Sequence, residues 1–441
     1  MTNDMRNDAY AIMSEAISAV DPSSCVYRTV RMEDGNILIN DTLYELSKYE
    51  NIYCIAFGKA ATAMSRAIED ILGDSLTRGI AVTKYGFGSP LHKMEIYESG
   101  HPIPDANSVA AGQTIYDLLE TTGPGDLIFF LISGGGSAQV THPRKGVSLT
   151  DIVKLTDTLI RAGATIDELN TVRKHLCSIK GGGLARMAYP SDSVSLILSD
   201  VVGDPLDVVA SGPTVPDRST FSDFREIVDR YSIALSPAVA GLIEDGLEGM
   251  IEETPKAGDV VFEKTSPHLI GSNALALNEA RSKASELGYN TMLLSSSIVG
   301  ESKEVAKVLA AIAREERLRE DPLPLPACIL AGGETTVTMK GNGLGGRCQE
   351  MALSFGMEVA GLKGVLLLAV GTDGNDGTTD SAGAFADGET IRRGKDMKMD
   401  ARRELYINNS HYYLRETGDL IVTGPTGTNV MDIYMILVDR F

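Results

Sequence analysis

The chain of 441 residues exceeds the size at which one hydrophobic core stops growing, so two domains are expected. Hydrophobic residues make up 43% of the chain and charged residues 23%, which is typical of globular proteins and excludes collagen-like or disordered chains. The formal net charge of -20 provides no long-range attraction for nucleic acids or anionic membranes, so neither is expected as a partner.

The cysteines favour a reducing compartment. There are five, an odd number, and no two of them form a CxxC pair. Asp4 and Asp8 stand where a signal peptide would need basic and then apolar residues, and no apolar run reaches about 18 residues. We therefore expect a cytoplasmic protein that is neither exported nor membrane-spanning.

Short apolar segments alternate with glycine-containing turns and amphipathic segments along the chain. This is the pattern of βα units around a parallel sheet, and it predicts an α/β fold. Strands are predicted at 52–57, 79–83, 127–132, 194–199, 328–331, 335–339, 364–370 and 420–423. Helices are predicted at 60–72, 106–119, 149–162, 273–286, 302–317 and 349–360.

The domain boundary is predicted from a change in pattern. The last apolar block of the first half ends near Leu242, and residues 245–265 are rich in Glu, Gly, Lys and Thr without a helical or strand period. The sequence therefore predicts an N-terminal domain over residues 1–245 and a C-terminal domain over residues 246–441. A return of the last strands to the first domain stays open.

The first candidate site residue is Lys59, at a turn from an apolar strand into a helix of small residues. A lysine in the first turn of a helix is disfavoured by the helix dipole, so its presence there needs a compensating anion. The alternative is a solvated surface lysine. The turn is not a Walker A loop, because Tyr53 and Ala60 stand where that loop requires Gly and Ser or Thr.

A second candidate is the glycine-rich loop after the strand predicted at 127–132. Consecutive glycines let the backbone approach a ligand and point several N–H groups at one phosphate or carboxylate. Loops at the carboxyl ends of parallel strands are where α/β proteins bind ligands, although a flexible turn explains the same residues. The loop residues predicted to bind substrate or phosphate are Ser133, Gly134, Gly135, Gly136 and Ser137.

Two aspartates, Asp200 and Asp204, follow another predicted strand. Carboxylates on a strand-end loop hold Mg²⁺ or accept a proton from a substrate hydroxyl, and solvated turn residues are the alternative. Upstream, the cations Arg173, Lys174 and Lys180 precede a second run of three glycines, which adds a candidate anion site.

The segment 341–346 matches GxGxxG but does not predict a dinucleotide site, because no acidic residue lies about 20 positions on to hold a ribose. Arg347 opens the following helix instead, and like Lys59 it needs an anion to justify its place. Glu334 lies in a Gly-Gly-Glu-Thr-Thr cluster after the strand predicted at 328–331 and is a further candidate for substrate binding.

Asp373 and Asp376 follow the most apolar predicted strand. An EF-hand is excluded, since no helix precedes this loop and Ala384 stands where the twelfth position requires Glu. Mg²⁺ suits the loop better because it takes only one or two carboxylates and completes its shell with substrate phosphates. A solvated surface loop is the alternative.

Zinc and hydrolase chemistry are not expected. The six histidines never fall at HxH or i, i+4 spacing, and no GxSxG elbow supplies a nucleophile.

Eight segments taken together resemble the MOFRL-type glycerate kinases, and the resemblance covers nearly the whole chain. They are GKA at 58–60, ESGHPIPD at 98–105, LISGGGSA at 131–138, LILSDVVGDP at 196–205, ASGPT at 210–214, GGRCQE at 345–350, GTDGNDGTTDSAGA at 371–384 and GPTGTN at 424–429. The resemblance implies a Rossmann-like N-terminal domain, a smaller C-terminal MOFRL domain and an active site in the cleft between them. One departure is Met431, where the family more usually has Asn.

The resemblance implies ATP-dependent phosphorylation of D-glycerate to 2-phosphoglycerate, with Mg²⁺, in sugar-acid breakdown of the non-phosphorylated Entner–Doudoroff type. It implies that Lys59 and Arg347 are catalytic, either binding the glycerate carboxylate or stabilising charge on the moving phosphoryl group. Asp200 is predicted to accept the hydroxyl proton, although the sequence does not separate that role from metal binding. The predicted metal ligands are Asp204, Asp373 and Asp376, and the further predicted substrate or phosphate ligands are Lys180 and Glu334. A homodimer is compatible with the sequence.

Two other classes of function remain. An NAD(P)H-dependent hydroxypyruvate reductase is supported only by the defective GxGxxG segment. A regulatory protein that binds nucleotides or sugar acids would use the same residues for binding alone. Glycerate-dependent ADP release, NADH oxidation with hydroxypyruvate, or binding without turnover separates the three.

Overall fold

The computed structural model describes residues 2–440, with side chains from Asp4 onward. The chain forms two compact units: Pro22–Ile270, named here the continuous unit, and Met1–Asp21 with Gly271–Phe441, named the two-segment unit. Helix α1 (Thr2–Ala19) thus belongs with the second half of the chain. The division falls after Ile270, whereas the sequence predicts residue 245, because a last strand of the continuous unit follows the irregular stretch. No helix within residues 2–440 is long and apolar enough to cross a membrane.

The continuous unit alternates strands and helices. Its helices are α2 Pro22–Thr29, α3 Ala61–Leu72, α4 Ala106–Leu119, α5 Gly136–Gln139, α6 Leu149–Arg161, α7 Ile166–Leu176, α8 Gly183–Ala188, α9 Phe221–Arg230 and α10 Pro237–Leu247. Its strands are β1 Val30–Glu33, β2 Asn36–Ile39, β3 Thr42–Tyr44, β4 Asn51–Phe57, β5 Arg78–Lys84, β6 Met94–Ser99, β7 Asp126–Ile132, β8 Asp192–Leu198 and β9 Thr265–Gly271.

Six of these strands form one sheet in the order β6-β5-β4-β7-β8-β9, and β1-β2-β3 form a small antiparallel sheet. The pairings from β6 to β8 are parallel. Every residue of β7, with the sequence DLIFFLI, is buried, as expected for a central strand covered by helices on both faces. The predicted α/β fold is confirmed, and the four strands predicted between residues 52 and 199 occur at their predicted places.

Reciprocal caps set the start of four helices. In each, the side chain before the first turn accepts the N–H of the third helical residue, whose own side chain accepts the N–H of the cap. The pairs are Asp105 with Ser108 at α4, Ser148 with Asp151 at α6, Thr165 with Glu168 at α7, and Thr220 with Asp223 at α9.

The irregular stretch after α10 is fixed by side chains. Glu253 accepts hydrogen bonds from the buried His175 ring (2.8 Å) and from the backbone N–H groups of Phe221 (2.8 Å) and Thr254 (2.9 Å). Burial opposes its ionisation, but these donors prevail and lower the pKa of Glu253 to about 2. Within residues 245–265, this carboxylate attaches the chain to α7 and α9, and Ile251 packs against the apolar cluster of the same helices.

Glu253 should make stability depend on pH. Since its pKa is lower in the folded than in the unfolded chain, its contribution is complete above about pH 4.5 and is lost as the pH falls towards 2. We expect Glu253→Gln to lower the unfolding free energy by about 2 kcal/mol at pH 7, with little difference from wild type near pH 2. Urea unfolding of both proteins across this range measures it, and an unchanged difference at all pH values would contradict it.

The two-segment unit contains α1 and the remaining elements. Its further helices are α11 Asn273–Glu286, α12 Ser302–Arg319, α13 Arg347–Glu358, α14 Thr390–Asp396, α15 Ala401–Tyr406 and α16 Ser410–Glu416. Its strands are β10 Asn290–Ile298, β11 Ala327–Gly333, β12 Val365–Gly371, β13 Gly383–Asp387, β14 Leu420–Ile421 and β15 Asp432–Val438.

The sheet of this unit has the order β10-β11-β15-β12-β13-β14. Only β10 and β11 pair in parallel, and the other pairings are antiparallel, so this second sheet is mixed. Strand β15 is absent from the sequence predictions, although it lies in the middle of the sheet with every residue buried. Because β15 pairs with β11 and β12, the last strand of the chain does not return to the continuous unit.

Two predicted strands also differ. Residues 335–339 form no strand, since the N–H and hydroxyl of Thr338 bond the Glu301 carboxylate and Thr336 makes only an isolated bridge. The strand predicted at 420–423 is limited to Leu420–Ile421, which pairs with only two residues of β13.

Candidate active site

Three neighbouring parallel strands of the continuous unit bring its candidate residues to one edge. Strands β4, β7 and β8 are paired side by side, and their carboxyl ends carry the turn with Lys59, the glycine-rich loop and the loop with Asp200. Ligands of α/β proteins bind at this edge. The structure therefore brings together three groups that are far apart in the sequence.

Backbone hydrogen bonds join the Lys59 turn to the glycine-rich loop. The N–H of Lys59 donates to the carbonyl of Gly134 (2.9 Å), and the N–H of Ala60 donates to the hydroxyl of Ser133 (3.1 Å). Ser133 is buried, and its hydroxyl positions the turn. Its contact with substrate or phosphate stays a prediction.

The three glycines of the loop have separate reasons to be glycine. A Cβ on Gly134 would lie 1.7 Å from an Asp200 carboxylate oxygen, and a Cβ on Gly136 would lie 2.7 Å from the ring of Phe57. Gly135 has a φ of +85°, in the left-handed region that other residues avoid. The absence of side chains therefore allows the Asp200 carboxylate to lie directly against the loop.

Gly134→Ala should displace Asp200 and lower turnover by at least 10-fold, since small misplacements of reacting groups cost on the order of 10²-fold. Gly123→Ala is the matched control, because a Cβ there meets nothing within 4 Å. Steady-state rates and melting temperatures of both variants make the comparison. Equal rates in the two would show that the contact between loop and carboxylate does not matter.

The Lys59 ammonium group has no partner among the side chains of residues 4–440: no carboxylate lies within 4 Å and no hydrogen bond forms. His101 lies over Gly135 in the same region. Burial lowers the pKa of His101, and the positive charges of Lys59 and Lys84 lower it further. A neutral imidazole beside the unpaired ammonium leaves Lys59 available for an anion, as its sequence position predicts.

A chain of hydroxyls extends the site. The hydroxyls of Ser137 and Ser211 are 2.8 Å apart, and Ser211 donates to the side-chain oxygen of Asn170 on α7 (3.0 Å). Ser211 belongs to a 3-10 turn at Val209–Ser211, within the ASGPT segment. Sequence reasoning singled out this segment but not Ser211 or Asn170, because a buried hydrogen bond between helix and loop has no spacing signal.

Two other predicted site residues of this unit, Lys180 and Asp204, have different surroundings. Lys180 is buried, and its ammonium group donates to the carbonyl of Val140 (3.1 Å) and to the sulfur of Cys177 (3.4 Å). Burial lowers the pKa of Lys180, and its contacts favour a structural role over the predicted phosphate contact. Asp204 closes the turn after β8 with a φ of 54°, its N–H bonded to the carbonyl of Val201.

In the two-segment unit, the central strands place Asp432 at the middle of a second cluster. Asp432 is the first residue of β15, opposite Gly333 at the end of β11 and Gly371 at the end of β12. Glu334 and Thr372 follow these two strand ends directly. Asp432 is fully buried. It was not among the predicted site residues, although it directly follows Met431, the position at which the chain departs from the family.

Arg347, the first residue of α13, pairs with this cluster. Its Nε and Nη2 donate to the two oxygens of Asp432 at 2.6 and 2.9 Å, and its Nη1 donates to Glu334 at 2.7 Å. Burial alone would lower the pKa of Arg347, but the Asp432 and Glu334 carboxylates raise it above its ordinary value. The anion that the helix dipole requires is therefore supplied by the protein itself, which the sequence argument did not foresee.

Asp376 fixes the start of the same helix. Its two oxygens accept the backbone N–H groups of Cys348 (3.1 Å) and Gln349 (2.8 Å), and the residue is only 2% exposed. Burial raises the pKa of Asp376 to about 7, although the two N–H donors lower it. These contacts favour a helix cap over the predicted metal ligand, because both oxygens already point into the protein.

Asp373 is the half-buried carboxylate of this loop. One of its oxygens accepts the N–H of Asn375 (3.0 Å), which closes the turn after β12. Thr372 holds the neighbouring segment, since its hydroxyl donates to the carbonyl of Met431 and accepts the N–H of Val430. Met431 has a φ of 69°, a conformation that Asn tolerates better than most residues, which suits the family's usual residue there.

The metal prediction can be tested against these placements. Within residues 4–440, no three His, Cys, Asp or Glu side chains gather in a group that could hold a metal ion. Mg²⁺ needs only one or two carboxylates when substrate phosphates complete its shell. Asp200 and Asp373 fit that requirement in donor chemistry, each at the carboxyl end of a strand.

Comparisons with known proteins identify two family matches and several similar proteins. The family described as a domain of unknown function, DUF4147, matches residues 8–244, and the MOFRL family matches residues 327–432. A D-glycerate 2-kinase of Thermotoga maritima is 40% identical over 98% of this chain and 97% of that protein. A glycerate 2-kinase of Pyrococcus horikoshii is 40% identical over 99% of this chain and 98% of that protein.

Structural similarity extends over the same length. The crystal structure of a glycerate kinase from Thermotoga maritima superimposes with a TM-score of 0.90 at 39% identity, covering 99% of this chain and 100% of that chain. Similarity of sequence and fold over the full length, together with both family matches, leads to one conclusion. The chain belongs to the MOFRL-type glycerate kinase family.

Proposed function

We propose that this protein transfers the γ-phosphoryl group of ATP to D-glycerate and forms 2-phosphoglycerate. The observation that carries the proposal is Lys59, whose ammonium group is unpaired and whose backbone bonds the glycine-rich loop against which the Asp200 carboxylate lies. The chain is 40% identical to a D-glycerate 2-kinase. Phosphoryl transfer needs positioning and charge neutralisation more than covalent chemistry, and this edge of the sheet offers both.

In the proposed reaction, the glycerate hydroxyl oxygen forms a bond to the γ-phosphorus while the bond from that phosphorus to the bridging oxygen of ADP breaks. Asp200 accepts the hydroxyl proton, and Lys59 stabilises negative charge on the moving group or holds the glycerate carboxylate. The glycine-rich loop at 134–136 binds phosphate through the N–H groups of Gly134 and Gly135, since the N–H of Gly136 donates to the carbonyl of Ser133 (3.3 Å). Asp200 is suited to the base role because its carboxylate lies against Gly134 at the end of β8.

A second candidate cation lies in the two-segment unit. Arg347 is one-third exposed while it pairs with the buried Asp432, so part of the guanidinium can face a substrate anion. The Glu334 side chain that shares Arg347 is 43% exposed, and it can give way to an incoming anion more readily than Asp432. When bound, Mg²⁺ would neutralise phosphate charge, with Asp200 or Asp373 as its protein ligand.

The same proposal places the protein in the cytoplasm and gives it a role in carbohydrate metabolism. All five cysteines are buried free thiols, as expected for a protein of a reducing compartment.

The proposal is tested by coupling ADP release to NADH oxidation, with D-glycerate and Mg·ATP as substrates. We expect turnover that needs both substrates and stops with excess EDTA, and a single phosphorus resonance of 2-phosphoglycerate by ³¹P NMR. A 3-phosphoglycerate product would overturn the regiochemistry. NADH oxidation with hydroxypyruvate in place of ADP release would instead identify a reductase, and binding of ATP without turnover a regulatory protein.

A further inference from the structure

Three cations precede the second glycine run, and the structure separates their roles. Lys174 is buried and pairs with Asp217 at 2.9 Å, and Lys180 donates to a backbone carbonyl. The third, Arg173, is half-buried, and within residues 4–440 no carboxylate lies within 4 Å of its guanidinium group and no acceptor bonds it. With 60 acidic against 40 basic side chains, this chain has carboxylates in excess, so an unpaired arginine is not explained by their scarcity.

Helix geometry places Arg173 on the side of the candidate site. It lies one turn after Asn170 on α7, and residues three apart share a helix face. Asn170 accepts the hydrogen bond of Ser211, which in turn contacts Ser137 in the glycine-rich loop. The face of α7 that carries Arg173 is therefore the face that packs towards the glycine-rich loop.

The surroundings of Arg173 are electrostatically unfavourable without an anion. Burial lowers the pKa of Arg173, and the positive charge of Arg173 lowers that of the buried Lys180 nearby. A partly desolvated guanidinium with no acceptor loses hydration without compensation. Proteins commonly keep such destabilising unpaired charges at sites that bind a ligand, because the charge is needed for function.

We propose that Arg173 binds an anionic oxygen group of a substrate. It lies on the face of α7 that the hydrogen bond between Asn170 and Ser211 joins to the 3-10 turn. The inference rests on the proposed glycerate kinase activity and adds to it a binding residue in the continuous unit besides Lys59. The anionic group is either the glycerate carboxylate or a nucleotide phosphate. Arginine suits both, because its planar fork donates two parallel hydrogen bonds to either.

The test compares Arg173→Met, Arg173→Lys and the control Arg161→Gln, which alters an exposed arginine of α6. In the kinase assay we expect Arg173→Met to raise one KM by about 10-fold or more, with a smaller change in kcat, and Arg173→Lys to recover part of it. A raised KM for D-glycerate identifies the carboxylate as the bound group, and a raised KM for ATP identifies the phosphate. The control should behave as wild type.

Thermal unfolding gives a second readout that does not need turnover. Without ligand, Arg173→Met should melt at the same temperature as wild type or higher, because it removes an unpaired, partly desolvated charge. Addition of D-glycerate, ATP or inorganic phosphate should stabilise wild type, and this gain should be reduced in Arg173→Met for at least one of them. The readout persists if wild type proves inactive on glycerate, so failure of the proposed function is distinguished from failure of this inference.

A lower melting temperature of Arg173→Met without ligand would assign Arg173 a structural role and overturn the proposal. Unchanged KM values together with unchanged stabilisation by all three ligands would overturn it as well.

Discussion

Lys59→Ala is expected to lower glycerate-dependent ADP formation by about 10²–10³-fold, the loss typical of one charge-stabilising group. The backbone of Lys59 is fixed to Gly134, whereas its ammonium group has no carboxylate partner in the described part of the chain. Because the ammonium group makes no contact that supports the fold, the melting temperature should hardly change. Steady-state kinetics and thermal unfolding of the same preparation measure both quantities.

Lys154→Ala is the matched control, since this exposed lysine lies on α6 of the same unit. Lys59→Arg retains the charge and should recover part of the rate, although a guanidinium group cannot reproduce the position of the ammonium nitrogen. A folded Lys59→Ala enzyme with near-normal turnover would remove Lys59 from the catalytic residues.

Arg347→Ala is expected to lower both activity and stability. The sequence alone predicts a loss of activity with an intact fold, but removal of the guanidinium group leaves the fully buried Asp432 without its counter-charge. We expect a loss of about 3 kcal/mol in unfolding free energy, at the lower end for breaking a buried pair, because Arg347 is one-third exposed. Urea unfolding and the kinase assay measure the two effects separately.

A double variant, Arg347→Met with Asp432→Asn, separates the structural role from the catalytic one. It removes both charges, so most of the lost stability should return, while turnover should stay at least 100-fold below wild type, a loss of about 2.7 kcal/mol. Tyr434, which donates to Asp432, keeps an acceptor in the asparagine oxygen. Recovery of both stability and turnover would show that Arg347 acts only through the fold.

The fold could be predicted where one local sequence pattern, an apolar run followed by a glycine-containing turn, recurs along the chain. The parallel strands β4, β5, β7 and β8 are apolar runs, and all four occur at their predicted places, whereas β6 (MEIYES) is less apolar and was not predicted. Strand β15 escaped because its residues, DIYMILV, have no alternation and no following helix. The antiparallel pairings of the two-segment unit depend on contacts between distant segments, which periodicity does not encode.

The candidate site was predictable in its backbone and less so in its side chains. Strand-end position identified Lys59 and Asp200 as residues at one edge of a sheet. Strand-end position could not distinguish a cation without a partner, such as Lys59, from a buried cation that is hydrogen-bonded within the protein. Lys180 is of the second kind, because its ammonium group donates to the carbonyl of Val140. The helix dipole predicted that Arg347 needs an anion. It could not predict that Asp432 provides it, because Asp432 lies 85 residues away in the sequence.

Strand β15 and helix α1 impose an order on the synthesis of the chain. The buried face of α1, formed by Met5, Ala9, Ile12, Met13 and Ala16, packs on α11, which leaves the ribosome only after the whole continuous unit. The middle of the sheet then awaits the last strand, and until it arrives β11 and β12 lack the neighbour they share. A nascent chain therefore holds one finished unit and one with open strand edges, which favour association with other chains. Pairing of β15 with β11 and β12 closes these open edges.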